Sequence, residues 1–331
     1  MRGLNPVNTL KAMSRHMARA DCWLSGTHIN VCILYRAFCP PDRCEPCVID
    51  GTGEQLHQKG EPMTGTASLP QPDELYGNIF DACQDKANLP FSKMVVLGTL
   101  AGIYIGLGGL FATVALAGAG EVAFGAGQVL SGMVFSLGLA LVLIAGAELF
   151  TGNTLMLGPV AAKRIPLTRA ISALSVVYVA NFAGAILLAG VRAVSGLHEA
   201  GDGAVGRAAL ELAETKTAKN FATTVASGVL ANLLVCLAVW LAYAAQSAAG
   251  KIIGLVLPVT AFVAAGLEHS IANMYLLSYA YLAQGLIDQG ATLVSLSAIA
   301  ANLLPATIGN LLGGGFIALA YHAAYGNSAK A

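Results

Sequence analysis

Residues 266–274 read Gly-Leu-Glu-His-Ser-Ile-Ala-Asn-Met and set a Glu, a His and an Asn in the middle of a run that is otherwise apolar from Ile252 to Tyr281. A run of that length can cross a bilayer, and an ionisable group at such depth is costly unless it is partnered. The pattern occurs twice. Residues 146–154, Gly-Ala-Glu-Leu-Phe-Thr-Gly-Asn-Thr, repeat it with each key residue displaced by 120 positions: Gly146 and Gly266, Glu148 and Glu268, Asn153 and Asn273. Matching polar interruptions in two hydrophobic segments are the mark of a membrane transporter built from two structural repeats, with helices broken near the midplane.

Composition supports a membrane class. Hydrophobic residues make up 56% of the 331 residues and charged residues 11%, against about 25% charged in a soluble domain. The apolar runs are long and lack the period-2 alternation of barrel strands, so an all-α membrane protein is expected. The formal net charge is zero, which points to no partner by charge, and no nucleic-acid partner is expected. Six of the seven cysteines (Cys22, Cys32, Cys39, Cys44, Cys47 and Cys83) precede the first span, and no disulfide framework follows from their spacing.

Taken in order, residues 1–71 read as a flexible tail rich in Pro, Gly and polar residues. Arg2, Lys11, Arg15 and Arg19 precede the first acid, Asp21, as in an organellar transit peptide, but Ser enrichment is missing and a plain disordered tail fits better. Cys39, Cys44 and Cys47 include one Cys-x-x-Cys pair without the second pair that a zinc finger needs. Residues 72–90 form an amphipathic helix, with Leu75, Ile79, Phe80 and Cys83 on one face and Asp73 as its cap, and it reads as lying on the membrane surface.

Residues 91–323 form the membrane domain, and 324–331 a short C-terminal tail. The spans run from about Val95 to Ala117, from Gln128 to Ala162 with a break at 146–153, and from Ile171 to Val191. After a polar stretch come Phe221 to Tyr243, the broken segment Ile252 to Gln284, and Leu293 to Tyr321 around Pro305. Six crossings place both termini on one side. Lys86, Lys93, Lys163, Arg164, Arg169, Lys251 and Lys330 lie on that side, which the positive-inside rule makes cytoplasmic or its topological equivalent. Three spans per half make the two halves inverted relative to each other. They match again at Asn181-x-x-Gly184 and Asn310-x-x-Gly313.

Backbone freed at a break cannot face lipid and must be satisfied inside the protein. Asn153, Asn273, Asn181 and Asn310 suit that task, because one amide side chain both donates and accepts. Glu148 and Glu268 stand just ahead of each second half-helix, where a carboxylate is expected to bond orphan backbone amides and complement the dipole. His269 is different. The first repeat has Leu149 at the matching position, so the fold needs no histidine there, and a group that titrates near neutrality suits proton donation or anion contact.

These motifs resemble the formate/nitrite transporter family. The resemblance rests on 146–154 and 266–274, with support from Asn232-Leu-Leu-Val-Cys-Leu-Ala-Val-Trp and Leu303-Leu-Pro-Ala-Thr-Ile-Gly-Asn-Leu-Leu-Gly-Gly-Gly, and covers about Asp73 to Tyr321. It implies an aquaporin-like protomer with its own pore, assembled as a homopentamer and carrying small monovalent anions of weak acids. It further implies that His269 is the central pore residue, with Asn232 as its neighbour and Thr151 as the polar group of the second-segment loop. Leu139 with Phe262, and Leu149 with Phe150, would form the apolar constrictions, and Phe135 would line the cytoplasmic approach. Lys216 would be a basic residue of the outer vestibule.

Formate and nitrite are the favoured substrates, with bicarbonate or lactate as alternatives, and protons are the coupled partner. A plasma membrane location is favoured over an organellar envelope. No catalytic residue, cofactor or metal is expected: at the depth of His269 and Glu268 the spans add only Glu148 as a further ligand type. A water or glycerol channel would be expected to carry Asn-Pro-Ala loops, which are absent.

Overall fold

The computed structural model describes residues 69–118, 122–287 and 294–326. The readings made on the N-terminal tail before Leu69 and on residues 327–331 fall outside the described residues.

Among the described residues every regular element is helical. The amphipathic helix is α1 (Pro72–Ala87), and the first long span is α2 (Phe91–Leu116). The second segment is α3 (Phe124–Ala145), a break, α4 (Phe150–Asn153), a 3₁₀ turn at Thr154–Met156, and α5 (Leu157–Ala161). Then come α6 (Leu167–Val194), a 3₁₀ turn at Leu197–Glu199, α7 (Ala204–Thr217) and α8 (Phe221–Ala244). The chain ends with α9 (Ala248–Ala264), α10 (Ser270–Ile287) and α11 (Leu296–Tyr325). Helices α2, α3, α6, α8 and α11 are each long and apolar enough to cross a membrane, and α9 is a shorter apolar helix of 17 residues. The expected fifth segment is therefore α9 and α10 together, divided at 265–269.

Local chemistry sets the helix ends. Asn220, Ser247 and Ser295 cap α8, α9 and α11, accepting from Thr223 N (2.9 Å), Gly250 N (3.0 Å) and Ala298 N (3.1 Å). At α1 the expected cap is displaced. Pro72 occupies the first helical position after Gln71, and Asp73 Oδ1 accepts only from its neighbour, Glu74 N, at 3.0 Å. The two breaks end their helices in similar ways. Gly146 (φ 75°) and Gly266 (φ 63°) are left-handed. The amide that follows each glycine reaches back five residues, Ala147 N to Val142 O at 2.9 Å and Leu267 N to Phe262 O at 3.1 Å. A Cβ would strain both glycines, which is why the repeated motif begins with that residue.

Small residues let the spans touch backbone to backbone. A Cβ on Gly102 of α2 would collide with the Asn181 carbonyl of α6, and one on Gly184 with the Thr99 carbonyl. In the second half, Gly309 and Gly313 of α11 meet the Val225 and Val229 carbonyls of α8 in the same way. Helix α1 is docked on protein rather than left with its apolar face for lipid. Tyr76, Ile79 and Phe80 are fully buried, Phe80 sits against Gly158, and Tyr76 OH bonds His322 Nδ1 at 2.9 Å. That contact sets α1 beside the C-terminal end of α11.

Candidate functional site

The breaks are held by two asparagines acting alike. Asn181 Oδ1 accepts from Phe150 N (2.9 Å), and its Nδ2 donates to Gly98 O and Glu148 O, both at 2.8 Å. Asn310 Oδ1 accepts from Ser270 N (2.8 Å), and its Nδ2 donates to Gly228 O (2.8 Å) and Glu268 O (2.9 Å). Each side chain thus satisfies the first amide of a half-helix and a carbonyl freed by the break.

The two glutamates do not bond the orphan amides expected of them; the first amide of each half-helix goes to an asparagine instead. Glu148 Oε1 accepts from Lys86 Nζ (2.7 Å) and Oε2 from Asn153 Nδ2 (2.8 Å). Glu268 Oε1 accepts from Lys216 Nζ (3.3 Å) and Lys219 Nζ (2.6 Å), and Oε2 from Asn302 Nδ2 (3.2 Å) and Asn273 Nδ2. Asn153 and Asn273 therefore hold carboxylates rather than backbone. A carboxylate this deeply buried needs a cation, since desolvation otherwise outweighs what the local backbone returns.

His269 is 2% exposed, and its Nε2 lies 2.8 Å from Thr151 Oγ1. Its Nδ1 accepts from Ala272 N at 3.1 Å. A backbone amide only donates, so this pattern assigns a neutral ring with its proton on Nε2, directed at the threonine oxygen. The Thr151 hydroxyl hydrogen is then left for a further acceptor. Asn232, expected beside His269, reaches it only through Thr151: its Nδ2 donates to Thr151 O (3.2 Å), Thr154 Oγ1 (3.0 Å) and Asn310 O (2.6 Å). It fixes the loop that carries the hydroxyl.

A cavity of about 60 Å³ on the α7 side is lined by Phe135, Phe262, His269 and Lys216. A larger one of about 290 Å³ on the α1 side is lined by Leu139, Leu149, Asn153 and Lys86. The apolar groups pair differently from the expected scheme. Phe262 meets Phe135 edge to face at 5.6 Å and stacks on His269 at 5.7 Å. Phe135 therefore belongs to the α7 side, not to the approach from the termini, and Leu139 belongs with Leu149. Phe150 packs edge to face on Tyr178 at 4.9 Å and lines neither cavity.

Lys216 is no free vestibule charge. Burial pushes its ammonium below the usual lysine range, and Glu268 opposes that shift. Lys86, Lys219 and Asn302 are site residues that the motifs alone did not disclose. Lys86 was readable: it lies 130 positions before Lys216, and both stand five residues ahead of the Phe that opens a span, Phe91 and Phe221. Lys219 and Asn302 carried no such signal, since Leu89 and Ala173 stand at the corresponding places of the first half.

The model of a family described as formate/nitrite transporter matches residues 73–324. Formate channel FocA of Escherichia coli strain K12 is 35% identical over 237 residues, covering 68% of this chain and 83% of its own. Formate channel BtFdhC of Bacillus thuringiensis is 35% identical over 258 residues, 77% of this chain and 95% of its own. A solved pentameric formate channel with formate bound superposes with a TM-score of 0.62 at 33% identity, covering 71% of this chain and 97% of that one. A solved FNT family ion channel gives 0.64 at 29% identity, covering 76% and 98%. These relatives are channels and transporters rather than enzymes. With a family match over most of its length and the broken-helix pairs in place, the chain belongs to the formate/nitrite transporter family.

Proposed function

We propose that this protein carries small monovalent weak-acid anions across a membrane, formate or nitrite foremost, together with a proton or as the neutral acid. The observation that carries this reading is the His269–Thr151 pair, a single polar contact set between the Phe135–Phe262 and Leu139–Leu149 pairs. Carrying a bare carboxylate through such a constriction costs up to tens of kcal/mol by the Born estimate. Protonating an acid of pKa roughly 4 at neutral pH costs only about 4 kcal/mol. With the ring neutral, the proton comes from solvent, and the Nε2–H and the Thr151 hydroxyl hold the small acid in place. The named formate channels among the relatives favour formate within the anion class. By analogy with the solved pentamer, we expect five copies to assemble, with both termini on the cytoplasmic side of a plasma membrane or its topological equivalent.

Liposomes holding the purified protein test this with labelled formate, nitrite, bicarbonate and lactate. Formate uptake is expected to rise as the outside is made more acid and to be indifferent to an imposed voltage. A pH-independent flux that follows voltage as a bare anion does would sink the proposal. His269→Leu should keep the oligomer and change transport, because Leu149 occupies the equivalent position of the first repeat. Misassembly of that variant would instead make His269 a structural group.

A further inference from the structure

The two breaks share one charge-neutral set, Lys86–Glu148–Asn153 in the first half and Lys216–Glu268–Asn273 in the second. The second half then adds two lysines at positions the first leaves neutral, one on each side of the membrane domain. On the α7 side the addition is Lys219, bonded to Glu268 and to Gly266 O at 2.7 Å, with Leu89 at the corresponding place of the first half. On the α1 side it is Lys251. The residue 120 positions before Lys251 is Ser131, which lines the α7-side cavity just as Lys251 lines the α1-side one. Two lysines, Lys86 and Lys251, thus line the α1-side cavity, and two, Lys216 and Lys219, bond Glu268 on the α7 side.

Lys251 stands apart from the other three lysines. Lys86, Lys216 and Lys219 are ion-paired, whereas the Lys251 ammonium has no ion-pair or hydrogen-bond partner among the described residues. It lies in the first turn of α9, where the helix dipole disfavours a cation. Local stability does not account for it, and Ser131 shows that the repeat needs no charge there. It does share a cavity wall with Leu139 and Leu149, the apolar pair that an entering solute meets next.

We propose that Lys251 is the anion-capturing residue of the α1-side mouth. Its unpaired ammonium concentrates small monovalent anions ahead of the Leu139–Leu149 constriction, while the charge of Lys86 is spent on Glu148. The proposal rests on the transport reading above and adds a residue to it.

The test is initial formate flux in vesicles of a single orientation, comparing the wild type with Lys251→Arg, Lys251→Gln and Lys251→Glu. Lys251 is partly exposed in a first helical turn, and all three variants are expected to keep the fold. With formate on the α1 side at low ionic strength, Lys251→Gln is expected to raise the half-saturating concentration about three- to tenfold, at little cost in maximal rate. Lys251→Glu should raise it further, and Lys251→Arg should match the wild type. The differences should shrink to about twofold or less at physiological salt, as the Debye length falls from about 30 Å at 0.01 M to about 8 Å. With formate on the other side they should vanish. Equal half-saturation in all four proteins at low salt overturns the proposal, as does a rise that survives high salt or that Arg fails to rescue. A wild-type protein that moves no formate overturns the transport reading itself, and this role of Lys251 with it.

Discussion

Asn181 and Asn310 each bond three backbone groups across a helix break, and that reach defines what can be asked of them. Asn310→Leu removes the partners of the Ser270 amide and the Glu268 carbonyl at a site closed to water, at about 1–3 kcal/mol for each group left unsatisfied. It should therefore lower both folded yield and melting temperature in detergent, and Asn181→Leu should do the same. Unchanged melting would show that other groups close the breaks. These asparagines were legible in the sequence as a matched pair beyond the breaks, but their bonds were not, because they depend on how α6 and α11 cross the segments they serve. Glu148 shows the opposite case. A carboxylate ahead of a helix start ordinarily bonds its amides, and that local rule gave way to Lys86, 62 residues earlier in the chain and brought in by the docking of α1.

At the scale of elements, the α2–α6 and α8–α11 crossings decide the geometry, because they bring the asparagine clamps against the breaks. A Cβ on Gly102 would press on the carbonyl of Asn181 itself, so relief there moves the clamp. Gly102→Ala and Gly309→Ala should each destabilise the protein by about 1–3 kcal/mol, the usual cost of overpacking. Gly190→Ala, which meets open space on α6, should be tolerated. A thermal series in one detergent separates the three, and a Gly102→Ala variant as stable as Gly190→Ala would mean that the crossing has slack. Gly102, Gly106 and Gly109 of the first span stand at helical spacing in the sequence. Which neighbour each one met was not legible there: Gly106 and Gly109 turn out to accommodate Tyr275 of α10, and Gly108 meets the backbone of α3. Helix α1 was likewise legible as an amphipathic helix, while periodicity is silent on whether an apolar face meets lipid or protein.

For the whole molecule, the organising fact is a repeat that preserves its supports and varies its function. Gly, Glu, Asn and the leading lysine recur in both halves with matching bonds, while His269 corresponds to Leu149, Lys251 to Ser131 and Lys219 to Leu89. The His269–Thr151 contact joins the two halves of the chain, with Thr151 from the first and His269 from the second. In the pentamer proposed above, we expect each copy to conduct through its own interior, so that symmetry multiplies the pathway without sharing it. Mixed assemblies of wild-type and His269→Phe subunits test this, with the ratio of the two measured by mass spectrometry of the purified oligomer. If the variant subunit is inactive, formate flux should fall in direct proportion to the wild-type share, since each intact copy goes on working beside a silent neighbour. A pathway between subunits would fail as soon as one lining residue was lost, and flux would then drop as a steep power of the wild-type share. Such a steep loss would move the route of transport from the interior of the chain to the axis between copies.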